Sequence, residues 1–154
     1  MQERLDIPSI IKGKTVFAGV GNRLRGDDGV GPYIIDQIKD SCAAICIDVG
    51  VAPENYIEKI ARIQPDTVVF IDATDFGALA GEVRLFESDN IVGGKLSTHA
   101  LSLKMACEYL QARKASCKVF LLAIQPQTMN MGEGLSEAVN RAATEISQLF
   151  FNPV

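Results

Sequence analysis

The chain has 154 residues, of which 47% are hydrophobic and 22% charged, as in one ordinary globular domain with its own core. Its net charge of -4 disfavours a nucleic-acid partner, because phosphate backbones repel an acidic surface. Four cysteines lack the paired spacing of a disulfide framework or a zinc site, and no apolar run reaches the roughly 20 residues that span a bilayer. We expect a single domain over residues 1–154 that is monomeric and cytoplasmic, with no membrane partner.

Apolar strand-like segments alternate with helical ones along the chain. The strand-like segments at residues 15–20, 44–49, 67–72 and 118–124 are aliphatic or β-branched nearly throughout, as in strands covered on both faces. Residues 82–86 alternate polar and apolar side chains, which predicts a short edge strand. Apolar spacings of three and four residues predict helices over residues 32–39, 54–63, 101–113 and 134–151.

This alternation predicts a doubly wound α/β fold. We expect a three-layer sandwich, with a mainly parallel sheet of about five strands and helices on both faces. In such sheets, ligands bind beyond the carboxyl ends of the strands, at the point where the strand order reverses. The residues that follow the strands are therefore the first candidates for a functional site.

Acidic residues follow three of the predicted strands. Asp27 and Asp28 lie in the loop after the first strand, Asp48 ends the second and Asp72 ends the third. In a sheet of order 2-1-3 the first and third strands are neighbours, so Asp28 and Asp72 are expected to converge on one crevice. Two close carboxylates repel each other unless a proton or a cation lies between them, and a metal ion is the simpler cation.

His99 is the only histidine, and it precedes the helix predicted over residues 101–113. Ser97 or Thr98 can cap that helix near Ala100, which would hold the imidazole at the same sheet edge as the carboxylates. An isolated histidine is more often structural, but this neighbourhood favours a ligand. Two carboxylates and an imidazole suit nickel or zinc and leave coordination positions open for a substrate. We expect the ligating atoms of Asp28, Asp72 and His99 to lie within about 6 Å of each other.

A dinucleotide site is the competing interpretation, because Gly19-Val20-Gly21 follows the first strand. The fingerprint G-x-G-x-x-G requires a glycine where Leu24 stands, and Gly26 comes two residues late. Asp27 and Asp28 would also repel a pyrophosphate in this loop. We therefore expect no nucleotide cofactor.

Longer motifs carry more information than these single residues. In chain order they are GNRLRGDDGVG, DVGVAPEN, FIDATDFGALAGEVRLF, STHALSL and LLAIQP. Together they resemble the nickel-iron hydrogenase maturation endopeptidases, from about the first strand to Gln125–Pro126. The chain looks most like the branch that processes the large subunit of formate-hydrogenlyase-type hydrogenase.

The resemblance implies a protease that removes the C-terminal extension of a hydrogenase large-subunit precursor once nickel has been inserted. Nickel would then be supplied by the precursor. The family's metal contacts carry over to Asp28, Asp72 and His99, and the two carboxylates are also the expected catalytic groups. Asp27 is expected to orient the loop, and Asp48 to have a supporting role.

Two positions depart from the family pattern. Some members have glutamate where Asp28 stands, so the metal would lie slightly closer to the loop here. Others have Asp-Gly-Gly after the second strand, where this chain has Asp48-Val49-Gly50. Because Val49 cannot cheaply adopt glycine-only conformations, the turn there cannot be carried over from the family.

The chain contains no serine or cysteine protease constellation and no clear aspartate pair of the aspartic-protease kind. Our hypothesis is substrate-assisted: nickel docks against the three ligands, and the ion or a nearby carboxylate polarises the scissile carbonyl or activates water. In the alternative, the three residues only recognise the metal, and strain in the docked tail drives cleavage. Another metal-dependent hydrolase and a non-catalytic nickel-binding accessory protein are the other functions considered for this scaffold.

Overall fold

The computed structural model describes residues 6–92 and 99–151. Within these residues five strands form one sheet: β1 (Thr15–Val20), β2 (Ile45–Gly50), β3 (Thr67–Ala73), β4 (Val83–Glu87) and β5 (Lys118–Ile124). The strand order is β2-β1-β3-β5-β4. All neighbouring pairs are parallel except β4 and β5, which are antiparallel. The predicted, mainly parallel sheet is confirmed, and β4 is the predicted edge strand.

The described helices are α1 (Ile7–Ile10), α2 (Val30–Ile38), α3 (Ile57–Ile63), α4 (Ser88–Val92), α5 (Ala100–Arg113) and α6 (Glu137–Phe151). Short 3-10 turns at Gly26–Gly29 and Pro53–Tyr56 lead into α2 and α3. The prediction missed α1 and α4, because four or five residues are too few to show a helical period. For α1 a local signal did exist: Asp6 accepts a hydrogen bond from the Ser9 N–H, and Pro8 occupies the first turn.

Both faces of the sheet are covered, which makes three layers. Side chains alternate along a strand, so Val68 and Phe70 face α3, α4 and α5, whereas Val69 and Ile71 face α1, α2 and α6. Each large apolar side chain in these two cores is almost fully excluded from water, and such burial stabilises the fold by about 1.5–3 kcal/mol per side chain. The rigid sheet that results positions the loops at its edges.

One expectation about the strands is wrong for β2. This strand begins at Ile45 and forms a margin of the sheet, so only Ile47 and Val49 are buried, whereas Cys46 is half-buried against the core on the other face. Every residue of β1 and β3 is buried, as expected for the central strands.

A close crossing brings the loop after β1 over the ends of two strands. A Cβ at Gly31, in α2, would lie 2.3 Å from the Ile71 carbonyl oxygen and 2.5 Å from that of Val20. Only glycine allows this approach, so α2 starts directly above the carboxyl ends of β1 and β3. None of the helices in residues 6–92 and 99–151 combines the length and the apolar character that crossing a membrane requires.

Candidate metal centre

Asp28, Asp72 and His99 meet at the carboxyl edge of the sheet. Each offers one ligand atom, and these atoms all lie within 4.8 Å of one another. The expected separation of about 6 Å or less is therefore observed. Ligand atoms bound to one ion at about 2 Å lie no more than about 4 Å apart, so a small contraction brings all three onto one ion. Across the described parts of the chain, no other group of three or more His, Cys, Asp or Glu side chains has such geometry.

Asp28 is fixed by the loop that follows β1. It lies in the 3-10 turn Gly26–Gly29, is almost fully buried, and its carboxylate accepts a hydrogen bond of 2.8 Å from the Asn22 N–H. A Cβ at Gly21 would lie 1.7 Å from the Asp28 carbonyl oxygen, and Gly21 has a φ of +139°. Glycine at this position allows the Asp28 backbone to lie against the end of β1.

Asp72 and His99 complete the group from β3 and from the start of α5. Asp72 is the penultimate residue of β3 and fully buried, and His99 is the N-cap residue of α5 with a side chain 13% exposed. The His99 Nδ1 lies 3.3 Å from an Asp72 carboxylate oxygen. The imidazole thus stands at the helix start that the sequence predicted. Ser97 and Thr98, the expected capping residues, lie outside the described residues.

The carboxylates shift the protonation of this histidine. The hydrogen bond with Asp72 raises the pKa of His99 above its ordinary value, against the opposing effect of burial, and the charges of Asp72, Asp28 and Glu54 add to the increase. The negative charges that favour a proton on the imidazole also attract a metal ion, which binds the neutral imidazole. Protons and metal ions therefore compete for the same position.

Asp27 does not face the candidate metal site but fastens two loops together. Its fully buried carboxylate accepts hydrogen bonds from the backbone N–H groups of Gln127, Thr128 and Ser136 and from the Ser136 hydroxyl, at 2.7 to 3.0 Å. Ser136 precedes the first residue of α6, so Asp27 joins the loop that carries Asp28 to the start of that helix. The orienting role expected of Asp27 stays a prediction.

Asp48 also lies outside the three-residue group. It accepts a hydrogen bond of 2.9 Å from Arg23, which also donates to Asp36 at 2.6 Å. These ion pairs with Asp36 and Asp48 raise the pKa of the Arg23 guanidinium above its ordinary value. Asp48 thereby ties the loop after β1 to the end of β2. Sequence reasoning assigned no role to Arg23, whose partners lie 13 and 25 residues away.

In the turn at Asp48-Val49-Gly50, the left-handed backbone conformation is adopted by Gly50, one residue after Val49. Gly50 has a φ of +59°, while Val49 stays in the strand and is buried in the core. The Gly50 carbonyl accepts a hydrogen bond of 2.8 Å from the Gly21 N–H. Valine is therefore accommodated here without strain.

Gln125 organises the loop between β3 and β4. Its side-chain oxygen accepts hydrogen bonds from the N–H groups of Phe76 and Ala78, and its amide donates to Asp75 at 3.1 Å. The only sequence signal was its position directly after β5, at the same edge as the acidic residues. Such a position shows where the side chain lies but not which loop it holds.

Comparison with known proteins adds independent information. Residues 34–152 match the HycI family, described as hydrogenase maturation protease. The Hydrogenase 3 maturation protease of Escherichia coli K12 is 32% identical over 140 residues, which cover 86% of each chain. A putative hydrogenase maturation protease of Methanocaldococcus jannaschii is 28% identical over 127 residues, covering 76% of this chain and 75% of the relative. The crystal structure of the nickel-iron hydrogenase maturation protease HycI from Thermococcus kodakarensis superposes with a TM-score of 0.81 at 31% identity, over 90% of both chains.

Proposed function

The chain belongs to the hydrogenase maturation protease family, and we propose that it removes the C-terminal extension of a nickel-iron hydrogenase large-subunit precursor after nickel insertion. As a member of this family it is a peptidase. The observation that supports the nickel-dependent part of the proposal is the group formed by Asp28, Asp72 and His99, whose ligand atoms lie within 4.8 Å of one another.

In this proposal, nickel belongs to the substrate. The precursor presents its bound ion to two carboxylates and one imidazole, a mixed set of nitrogen and oxygen ligands that suits nickel better than calcium or magnesium. Three protein ligands leave the remaining coordination positions to the precursor. A precursor without nickel would gain none of these bonds, so completed metal insertion becomes a condition for productive docking.

The same residues are placed to assist peptide cleavage. A bound divalent ion polarises a carbonyl oxygen or lowers the pKa of bound water. Asp28 and Asp72 are buried, which strengthens their interaction with a cation and keeps bulk water from screening it. We assign them as the catalytic carboxylates, with His99 as the third metal contact, Asp27 as the residue that orients the loop, and Asp48 as a support of that loop.

We further propose that the enzyme meets its precursor in the cytoplasm. All four thiols are free, and burial raises the pKa of Cys107 to about 12. Cys107 and Cys117 are buried and Cys42 and Cys46 are half-buried, and buried, protonated thiols are unreactive and fit a compartment in which disulfides are rare.

Incubation of the chain with nickel-loaded precursor tests the proposed function. Mass spectrometry of the precursor is expected to show loss of a C-terminal peptide with first-order kinetics under excess enzyme. Stable binding without shortening would instead identify a nickel-binding accessory protein. Cleavage of unrelated small substrates, with an intact precursor, would identify a different metal-dependent hydrolase.

A further inference from the structure

The outward face of α5 is unusual for a surface helix. Its inward residues are apolar and buried: Leu103, Ala106, Cys107 and Leu110. On the outward face, Leu101, Met105 and Tyr109 are 72%, 55% and 40% exposed. Side chains four residues apart lie above one another on a helix, so these three form one apolar row, the α5 stripe. A helix on a protein surface normally has polar residues on this side.

Helix α6 shows the ordinary arrangement in the same protein. Its solvent-facing residues up to Glu145 are polar or charged, and Leu149 is the exposed large apolar residue near its end. The exposed apolar row on α5, which Glu108 flanks on the same face, is therefore a local feature and does not reflect the composition of the whole chain. An exposed apolar row of this kind is typical of an interaction surface.

The position of the α5 stripe connects it to the candidate metal centre. Leu101 stands two residues after His99, and the stripe continues from there for about 12 Å along the helix, at 1.5 Å per residue. Other exposed apolar side chains lie on loops at the same carboxyl edge of the sheet: Leu24, Val51, Leu79 and Met131. Away from this edge, the exposed large apolar residues among those described are Ile45, at the start of β2, and Leu149, near the end of α6. The exposed apolar surface is thus concentrated around and beside the candidate metal centre.

We propose that the α5 stripe is the docking surface for the folded body of the nickel-bearing precursor, an inference that rests on the proposed function. Leu101 lies in the first turn of the helix that begins after His99, although its side chain points away from the imidazole, so a folded precursor whose metal reaches His99 lies against the start of the stripe. Burial of the stripe would then hold the precursor while its metal and tail are engaged at the sheet edge.

The size of the stripe favours a transient partner over a second copy of this chain. A large side chain buries at most about 250 Å², so three partly exposed ones offer well under the roughly 800 Å² per partner of a stable interface. A substrate that is also held through its metal needs no more than this. Tyr109 is already fixed by hydrogen bonds with Glu58 and Arg113, so little side-chain entropy is lost when it is covered.

Steady-state processing of nickel-loaded precursor by Met105→Gln tests this proposal. Glutamine has a similar length and helix propensity but resists transfer to an apolar interface. We expect KM to rise about tenfold and kcat to stay within about twofold, because the stripe contacts the precursor without touching the reacting atoms. Leu149→Gln, at an exposed apolar position near the end of α6, is the matched control and should retain the parent KM.

Three results would overturn the proposal. Equal KM values for Met105→Gln and Leu149→Gln, with efficient processing by the parent, would show that the α5 stripe is not the docking surface. The proposed function would still stand. Failure of the parent enzyme to shorten the precursor would refute both the proposed function and the docking surface. Sedimentation that shows a parent dimer and a Met105→Gln monomer assigns the stripe to a second copy of the chain.

Discussion

Two aspartates at opposite ends of β3 are held in different ways. Asp66, just before the strand, is partly exposed and accepts hydrogen bonds of 2.8 Å from Lys114 Nζ and from the Lys14 N–H. Asp72, near the end of the strand, is fully buried and lies beside His99 in the group that also contains Asp28. Aspartate is thus paired with a permanently charged lysine at one edge of the sheet. At the other edge it is paired with a histidine, whose charge depends on pH.

The difference separates a structural ion pair from the site that we propose to be functional. The lysine at Asp66 stays charged at every physiological pH, so the ion pair fastens the end of α5 to the start of β3 and leaves nothing for a substrate to supply. At Asp72, the neighbouring cation can be a proton on His99 or a metal ion. A site whose cation can be exchanged is able to detect whether the substrate carries a metal ion.

The largest expected effect is at the carboxyl end. Asp28→Asn, Asp72→Asn and His99→Ala should each lower the rate of precursor processing by about a hundredfold or more, because the first two remove a charge that attracts the metal and the third removes a ligand, with little loss of packing. Asp66→Asn is the matched change at the other end of β3 and should process at the parent rate. Circular dichroism of all four variants checks that they fold, and folded ligand variants with parent activity would refute the metal-contact role.

The next effect concerns the residue that orients the Asp28 loop. Asp27→Asn places an amide donor among backbone N–H donors, so we expect the free energy of unfolding to fall by about 2–4 kcal/mol. Ser136→Ala removes one side-chain donor and leaves the backbone donors in place, so its cost should be about 1 kcal/mol. Denaturant titration measures both. An Asp27→Asn midpoint equal to that of the parent would show that this buried carboxylate does not fasten the two loops.

A smaller effect is expected on the pKa of His99. Its pKa in the metal-free parent should lie above about 6.5 and should fall in Asp72→Asn, which loses the carboxylate but keeps the burial. The stability from this pair is fully present below the unfolded pKa and is lost as pH rises through the raised folded pKa. Metal affinity has the opposite dependence and falls as pH drops through that value. An NMR titration in which Asp72→Asn leaves the histidine pKa unchanged would contradict this coupling.

The smallest expected effect is the change in unfolding midpoint when Asp66 is substituted. The hydrogen bonds with Lys114 and the Lys14 backbone lower the pKa of its carboxyl, so its contribution is present above about pH 3.9 and is lost as pH falls through the lowered value. Because the pair is partly exposed, Asp66→Asn should lower the unfolding midpoint at pH 7 by about 3 °C or less. Thermal scans at pH 7 and near pH 2 should show that difference shrinking. A difference that persists at low pH would mean that Asp66 acts through packing and not through its charge.

The sheet and the three-residue group could be predicted because their signals are local. The central strands β1, β3 and β5 are continuous apolar runs, and their observed bounds agree with the prediction to within one residue. Asp28 follows the first predicted strand, Asp72 ends the third, and His99 precedes a predicted helix, so the strand order places the two carboxylates at neighbouring strand ends and the helix start adds the imidazole.

Other features depend on contacts between distant residues and have no such signal. The partners of Asp27 lie 100 to 109 residues away, and Gln125 holds a loop 47 to 50 residues away. The apolar spacing of α5 predicts an inward face of Leu103, Ala106, Cys107 and Leu110, which is confirmed. The spacing does not show that the apolar residues on the other side, Leu101, Met105 and Tyr109, stay exposed. In each case the tertiary arrangement decides what the side chain meets.

Paired processing reactions test most directly whether the chain recognises a metal carried by its substrate. Nickel-loaded and nickel-free forms of the same precursor are incubated with the parent enzyme, and the shortened product is measured over time. We predict that only the nickel-loaded precursor is shortened, and that treating the enzyme alone with nickel before it meets the nickel-free form does not restore cleavage. Efficient cleavage of the nickel-free precursor would contradict this account and leave the enzyme an ordinary peptidase.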